Sequence, residues 1–325
     1  MNRLSLISSI DDYYDLGSDS PNLYHYTSID GLNGIISNGT LRFSEYSYLN
    51  DFSEGKVLYQ TLLDNIKLDE KLLKWTCLNV LRIRYLKSWD SETLWQHLKE
   101  KDEPGVKPNK DKLFVCSMSL DEDSLQMWRY YSKNDRMLGY RIAFDSGELL
   151  NSIANWARSK KVKYTWVKVC YDLQNSPEGL MRYISDNYKE WRSEKDEKRK
   201  VGICNQVWEA LWNYRLFFKD KSFSGENEIR IILLIKDEQF NKLLRKKDFE
   251  VEIKLRQVNE YFIPYIDVPI IPDALSECDC TLINDIKISP TVNDIQAKNS
   301  LQLLLQKYPW ANCTVSTSPI PLRYI

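Results

Sequence analysis

The 325-residue sequence predicts an α+β protein with a mostly antiparallel sheet and added helices, and three observations lead there. The last hundred residues hold five short runs of alternating or continuous apolar character, NEIRIILLI, FEVEIKL, FIPYIDV, INDIKIS and CTVSTS, which read as strands. Between the strand-like runs of the first two thirds lie segments whose apolar residues recur with helical period. The strands do not alternate one for one with crossover helices, as a parallel α/β sheet would require.

Taken in order, NLYHYTS is a strand with Leu23 and His25 on one face and Tyr24 and Tyr26 on the other. Ser28 opens a short helix that carries Leu32, Ile35 and Ile36 and stops at Gly39, the usual left-handed terminator. TLRFSEYSYLNDFSEG reads as a strand running into a loop rich in Tyr and Asn. From about 57 to 99 the residues Leu58, Leu62, Ile66, Leu73, Leu81 and Leu94 keep a 3.6-residue period, a helical block closed by the charged Pro/Gly loop KDEPGVKPNKDK.

LFVCSMS is a strand, followed by a helix with Ser124, Met127, Trp128 and Tyr131 on one face, and then by the strand GYRIAFD. A helix near 147–159, the strand VKYTWVKVCYD and a helical stretch from Pro177 to Phe218 come next. The run RSEKDEKRK interrupts that stretch as a solvated face or turn. One further helix is expected near 293–307. The whole reads as one elaborated domain, 1–325, with helical insertions at about 57–112 and 172–218.

Bulk properties exclude several function classes. With 45 Lys and Arg against 46 Asp and Glu, the net charge of −1 provides no field to hold a phosphate backbone or an anionic membrane. The N-terminus has no apolar run of signal length, and nowhere do about 18 apolar residues stand together, so a cytoplasmic location with no membrane partner is expected. Seven scattered Cys read as buried thiols, and no metal centre is expected, since the Cys278-x-Cys280 pair has no second Cys/His pair at metal-site spacing and the chain holds only two His.

Two constellations can carry chemistry. His25 stands in a strand beside Tyr26, Thr27 and Ser28, and the run Glu226-Asn-Glu228-Ile-Arg230 opens another. A period of two puts both carboxylates and the guanidinium on one face while Ile229 and Ile231 point to the core; the alternative is an exposed edge strand with Arg230 balancing the two Glu. A carboxylate beside a sugar stabilises an oxocarbenium-like transition state, and two neighbouring Glu perturb each other's pKa. Breaking a nicotinamide-ribose bond poses that charge problem, and nicotinamide also needs an aromatic wall, for which Tyr46, Tyr48, Trp128 and Tyr131 compete. Ser117 and Ser119 alternate along LFVCSMS and present hydroxyls to the same side.

The blocks LYHYTS, GII-S-NG-TLRFS, YLNDFSE, FVCSMS with SLQMWRYY, and GYRIAFD resemble the domain-of-unknown-function 2971 family. So do Lys219-x-x-x-Phe223-x-x-Glu226-x-Glu228-x-Arg230, with Phe223 where that family more often has Trp, and the closing blocks INDIKISP, QAKNSLQLLLQKY and VSTSPIPLR. That family in turn resembles the ADP-ribosyltransferase superfamily, which binds NAD in the cleft of a split sheet. The resemblance implies His25, Tyr26 and Thr27 as contacts to the nicotinamide ribose and amide. It implies Glu228 as the catalytic carboxylate, with Glu226 second. Arg42, Tyr46, Tyr48, Asn50, Ser117, Ser119, Trp128, Tyr131 and Arg230 complete the expected NAD-binding set, with no metal. The activity expected is ADP-ribosyl transfer to an unknown protein or nucleic-acid acceptor, or NAD hydrolysis, in a toxin or antiphage-defence role and under the control of a partner protein. The alternatives are a non-catalytic nucleotide-binding or interaction module, and phosphate transfer at RNA ends, which would need more Arg and Lys than Arg42 and Arg230 near the motifs. On this reading Glu228→Gln is expected to cut turnover while leaving stability nearly unchanged.

Overall fold

A computed structural model describes residues 22–48, 69–81, 111–131, 138–171, 178–245, 251–271, 282–290 and 294–321. Asn50, Cys278, Cys280, the linker 101–110 and the helical expectations at 57–68 and 82–99 lie outside them.

The chain opens with strand β1 (Leu23–Thr27), helix α1 (Ile29–Asn38) and strand β2 (Thr40–Glu45). Ser28 caps α1 by accepting from the Gly31 N–H, a contact that contributes about 1 kcal/mol. Gly39 ends the helix at φ 62°, a conformation that only glycine adopts freely. Of the expected helical block, the described part is α2 (Glu70–Trp75), which continues into one π-helical turn, Thr76–Val80.

Next come β3 (Lys112–Ser119), α3 (Leu125–Tyr131), β4 (Tyr140–Phe144), α4 (Ser146–Ser159) and β5 (Lys163–Lys168). Two helices follow, α5 (Glu178–Ser193) and α6 (Glu197–Tyr214), parted within the charged run as expected. The C-terminal third holds β6 (Glu228–Ile235), α7 (Asp237–Arg245), β7 (Lys254–Val258), β8 (Tyr261–Pro269), β9 (Ile283–Ile288), α8 (Asp294–Lys307) and β10 (Thr314–Thr317). Helix α7 corrects the expectation of a single helix in this third. Its only buried side chains are Phe240 and Leu243, and the rest of DEQFNKLLR is too polar to register as a core segment.

The strands form one ten-stranded sheet in which the β9–β10 pair alone among those described is parallel. Strand β3 is its branch point. Along one edge β3 pairs with β6 over its full length, and β6 carries β5 beyond it. The other edge is shared: β2 takes Phe114 and Val115, and β1 takes only Ser119, through Tyr24. Between these contacts β1 and β2 part, so Cys116–Met118 face a gap in the ladder.

Both faces of the sheet are covered. On one, Ile229, Ile231, Leu233, Phe114, Cys116 and Met118 pack with residues of α1, α4, α7 and α8. On the other, Leu113, Val115, Ile232 and Leu234 pack with residues of α2, α5 and α6. All eight residues of β6 are buried, so the run EIRIILLI is a central strand and not the exposed edge that its charges allow.

Candidate functional site

The cavity at the parting of β1 and β2 is built on strand β3. Ser117, Ser119, Glu228 and Arg230 share one face, because Ser117 pairs with Arg230 and Ser119 with Glu228 across the β3–β6 ladder. Burying two charged residues on one strand is costly unless each is matched. The match is close. Glu228 Oε1 accepts from Ser117 Oγ at 2.5 Å and from Arg230 Nε at 3.0 Å. Its Oε2 accepts from Arg230 Nη2 at 3.1 Å and from Lys219 Nζ at 3.3 Å. A carboxylate has about four acceptor sites, so that of Glu228 is saturated. These cations, led by Arg230, outweigh the cost of burial and hold Glu228 down to a pKa of about 2.

Glu226 is placed differently from the alternation expected of a strand. It ends a 3-10 turn, Lys221–Glu226, and Asn227 behind it takes the left-handed conformation at φ 42°. Asn is one of the few residues that enter this region readily, and its side chain is tied to Asp121 Oδ1 at 2.9 Å. The strand alternation therefore starts only at Glu228. Glu226 is buried, its Oε2 accepts from Lys219 Nζ at 2.7 Å, and Oε1 makes no hydrogen bond among the described residues. Burial raises its pKa, with Lys219 opposing that rise and the neighbouring Glu228 charge adding to it. The turn is fixed from behind by Ser119, whose Oγ donates to the Glu226 carbonyl at 2.7 Å, and Lys219 lies 4.7 Å from the centre of the Phe223 ring.

His25 closes the gap in the ladder. Its Nδ1 lies 3.3 Å from the Ser117 carbonyl, which a continued β1–β3 ladder would engage. A carbonyl only accepts, so Nδ1 carries the proton and Nε2 is left as an acceptor. Burial lowers the pKa of the imidazole and keeps it neutral at pH 7. His25, Ser117, Glu226 and Glu228 line one cavity with Tyr24, Tyr26, Met118, Met127 and Tyr131. Its free volume, about 20 Å³, holds about one water. Of the lining residues Tyr131 is the most exposed, at 38% over the whole residue, yet its hydroxyl is covered, and that burial, followed by the charges of Glu226 and Glu228, raises its phenol pKa.

The fold thus brings together His25, Tyr26, Ser117, Tyr131, Glu226 and Glu228. Several other expected contacts stand elsewhere. Trp128 is fully buried, meets Tyr26 edge-on at 4.9 Å and donates from Nε1 to Asp123, so it is core and not a ligand wall. Ser119 is fully buried as the clamp on the Glu226 turn, and Arg230 supports Glu228 from within. Thr27, Arg42, Tyr46 and Tyr48 do not line the cavity; Tyr46 packs on the α2, α5 and α6 side, and Arg42 pairs with Asp267. Sequence reasoning left out the lining residues Tyr24, Met118 and Met127, and two residues that hold Glu228: Lys219, and Tyr171, whose hydroxyl accepts from the Glu228 N–H at 2.9 Å. For Lys219 the signal was present, a lysine seven residues ahead of Glu226; for Tyr171 there was none.

Among the described residues no group of three or more His, Cys, Asp or Glu is placed to hold a metal, and no helix is long and apolar enough to cross a membrane.

Comparison with known proteins adds one finding. Residues 127–231, from within α3 to the first half of β6, match a family model described as a protein of unknown function, DUF2971. This stretch holds Tyr131, Lys219, Glu226, Glu228 and Arg230. The blocks around His25 and Ser117 and the closing strand-helix-strand lie outside it, so the match is narrower than the near-complete resemblance expected. Helices α5 and α6, expected to be an insertion, fall inside it. No curated protein matches the chain, and no solved structure does.

Proposed function

We propose that the chain cleaves NAD at the nicotinamide-ribose bond, passing ADP-ribose to water or to a macromolecular acceptor, with Glu226 rather than Glu228 as the proton-handling carboxylate. One observation carries the reading. Two carboxylates two residues apart reach the same cavity with pKa values driven in opposite directions, the arrangement by which acid-base roles are divided. The split of β1 from β2 along β3 is the feature that fits an ADP-ribosyltransferase-like sheet.

In this mechanism the nicotinamide leaves as a neutral ring and the ribose develops positive charge, which the fixed Glu228 anion stabilises through space. His25 Nε2 accepts from a ribose hydroxyl, its other nitrogen being held by the Ser117 carbonyl. Oε1 of Glu226 takes the proton of the attacking water or acceptor group, and its raised pKa makes it the stronger base of the two. A cavity sized for a single water admits the ring only if a lining side chain swings aside, and Tyr131, the most exposed of the lining residues, is that group.

A second reading, a module that binds nucleotides or proteins without chemistry, draws on the same small cavity and on the saturation of Glu228. Incubating the purified full chain with NAD and separating nicotinamide, ADP-ribose and NAD by chromatography distinguishes them. Nicotinamide formed in step with NAD loss, and abolished by Glu226→Gln, supports cleavage. NAD bound but intact, with no nicotinamide above the buffer rate, leaves only the module.

A further inference from the structure

A group of cations stands on β2, β7 and β8, away from the cavity. In the β2–β8 and β7–β8 ladders, Arg42 pairs with Asp267, Ser44 and Lys254 both pair with Tyr265, and Arg256 pairs with Ile263, which sets all these side chains on one sheet face. It is the face of Ser117, since Ser44 pairs with Val115 two residues along β3.

The acceptors there do not satisfy the donors. Asp267 serves both Arg42, at 3.7 Å, and Lys254, at 3.2 Å, and Glu252 also reaches Lys254 at 3.7 Å. Among the described residues Arg256, with five N–H donors, makes a single long contact, from Nη2 to Ser44 Oγ at 3.4 Å. Its Nε, which is buried, has no partner among the described residues. The Cζ of Arg42 lies over the Tyr265 ring, 4.3 Å from its centre, and the Arg42 side chain is 49% exposed. The nearest further carboxylate on β2, Glu45, is engaged by Ser47. Among the described residues two carboxylates thus face three cations, and a buried donor without a protein acceptor is completed by water, an ion or a ligand. Burial and the neighbouring Arg42 charge lower the pKa of Arg256, as expected for two guanidiniums brought together with no anion between them.

We propose that Arg42 and Arg256, assisted by Lys254, form a seat for a diphosphate group. Two guanidinium forks on one sheet face, from β2 and β7 on either side of β8, suit an anion with several oxygens pointing in different directions, and a single carboxylate would leave one fork unused. The seat is independent of NAD cleavage, because it rests on residues that the cavity does not contain.

The test is calorimetric titration of the full chain with inorganic pyrophosphate and, separately, with ADP, at low ionic strength. The expected result is saturable binding that weakens at least tenfold in Arg256→Gln and also in Arg42→Gln, while Lys189→Gln on α5 leaves it unchanged. ADP binding tighter than pyrophosphate assigns a nucleotide as the source of the diphosphate; equal binding assigns the free anion. Circular dichroism establishes that each variant is folded, and Arg42→Gln, half exposed, serves if Arg256→Gln does not fold. The absence of saturable binding of either anion to the wild-type chain, or equal binding by both folded variants, overturns the seat. Neither result depends on nicotinamide release.

Discussion

Glu226 and Glu228 share one ammonium group, Lys219 Nζ, at 2.7 and 3.3 Å, yet their carboxyls are driven to opposite sides of the ordinary value. The difference lies in Arg230. It lies two residues beyond Glu228 on the same strand face and grips both oxygens of Glu228, whereas the left-handed turn at Asn227 puts Glu226 where Lys219 is its nearest cation. One carboxylate becomes a fixed charge and the other a group able to exchange a proton.

Glu228→Gln should therefore be a stability variant. Removing one partner of a buried ion network leaves Arg230 and Lys219 facing Glu226 alone, and breaking such a pair costs about 3–5 kcal/mol. Urea denaturation should show the midpoint falling with little change in slope. This reverses the expectation from sequence that the substitution leaves the fold untouched, because the sequence does not reveal that Glu228 has all its acceptor sites filled.

Glu226→Gln should behave in the opposite way. A group whose pKa is raised on folding is held in its neutral form more readily than in the unfolded chain, so a neutral isostere that still accepts from Lys219 costs about 1 kcal/mol or less. Turnover of NAD should fall by about two to three orders of magnitude, the usual loss for a proton-handling or charge-stabilising group. Parallel melting curves and nicotinamide assays on the two Gln variants check both statements.

The dependence of stability on pH follows from the same shifts. His25 has a folded pKa below its unfolded value of about 6.5, so its contribution is present above pH 6.5 and is lost as pH falls through the folded value. Glu228 is depressed from 4.5 to about 2, so its contribution is present above 4.5 and is lost between there and about 2. Glu226, raised, has the opposite sign and favours the fold as pH drops. Stability should fall in two stages on acidification, and His25→Gln should remove the first, as measured by urea midpoints at pH 7.5, 5.5, 4 and 3.

Asn227→Ala should cost about 1–2 kcal/mol, from losing asparagine's tolerance of positive φ and from the lost hydrogen bond to Asp121, whereas Asn227→Gly should cost less. If the turn sets the spacing of the two carboxylates, Asn227→Ala should also lower turnover beyond its effect on stability. Thermal melts and nicotinamide assays of both variants read the two effects.

Much of this was legible in the sequence, and the failures have physical causes. Alternation exposed β1, β3, β4 and β6, and caps marked both ends of α1 at Ser28 and Gly39. His25 and Glu228 meet in one cavity although 203 positions part them, because both border the branch strand β3. The turn at Glu226 was hidden, since a period of two fits Glu-Asn-Glu as well as any strand and only the left-handed Asn227 breaks it. Helical period places Trp128 and Tyr131 on neighbouring positions of one face, and only the fold decides that the first packs on Tyr26 while the second reaches solvent. Arg256 joins Arg42 across more than two hundred residues, which no local pattern announces.

The most direct test of the divided carboxylates is a carbon-13 NMR titration of the glutamate side-chain carboxyls, with the two signals assigned by Glu226→Gln and Glu228→Gln. One signal, lost in Glu226→Gln, should titrate above 4.5, and another, lost in Glu228→Gln, should not move until the pH approaches about 2 or the protein unfolds. Two signals titrating together near 4.5 would contradict that division.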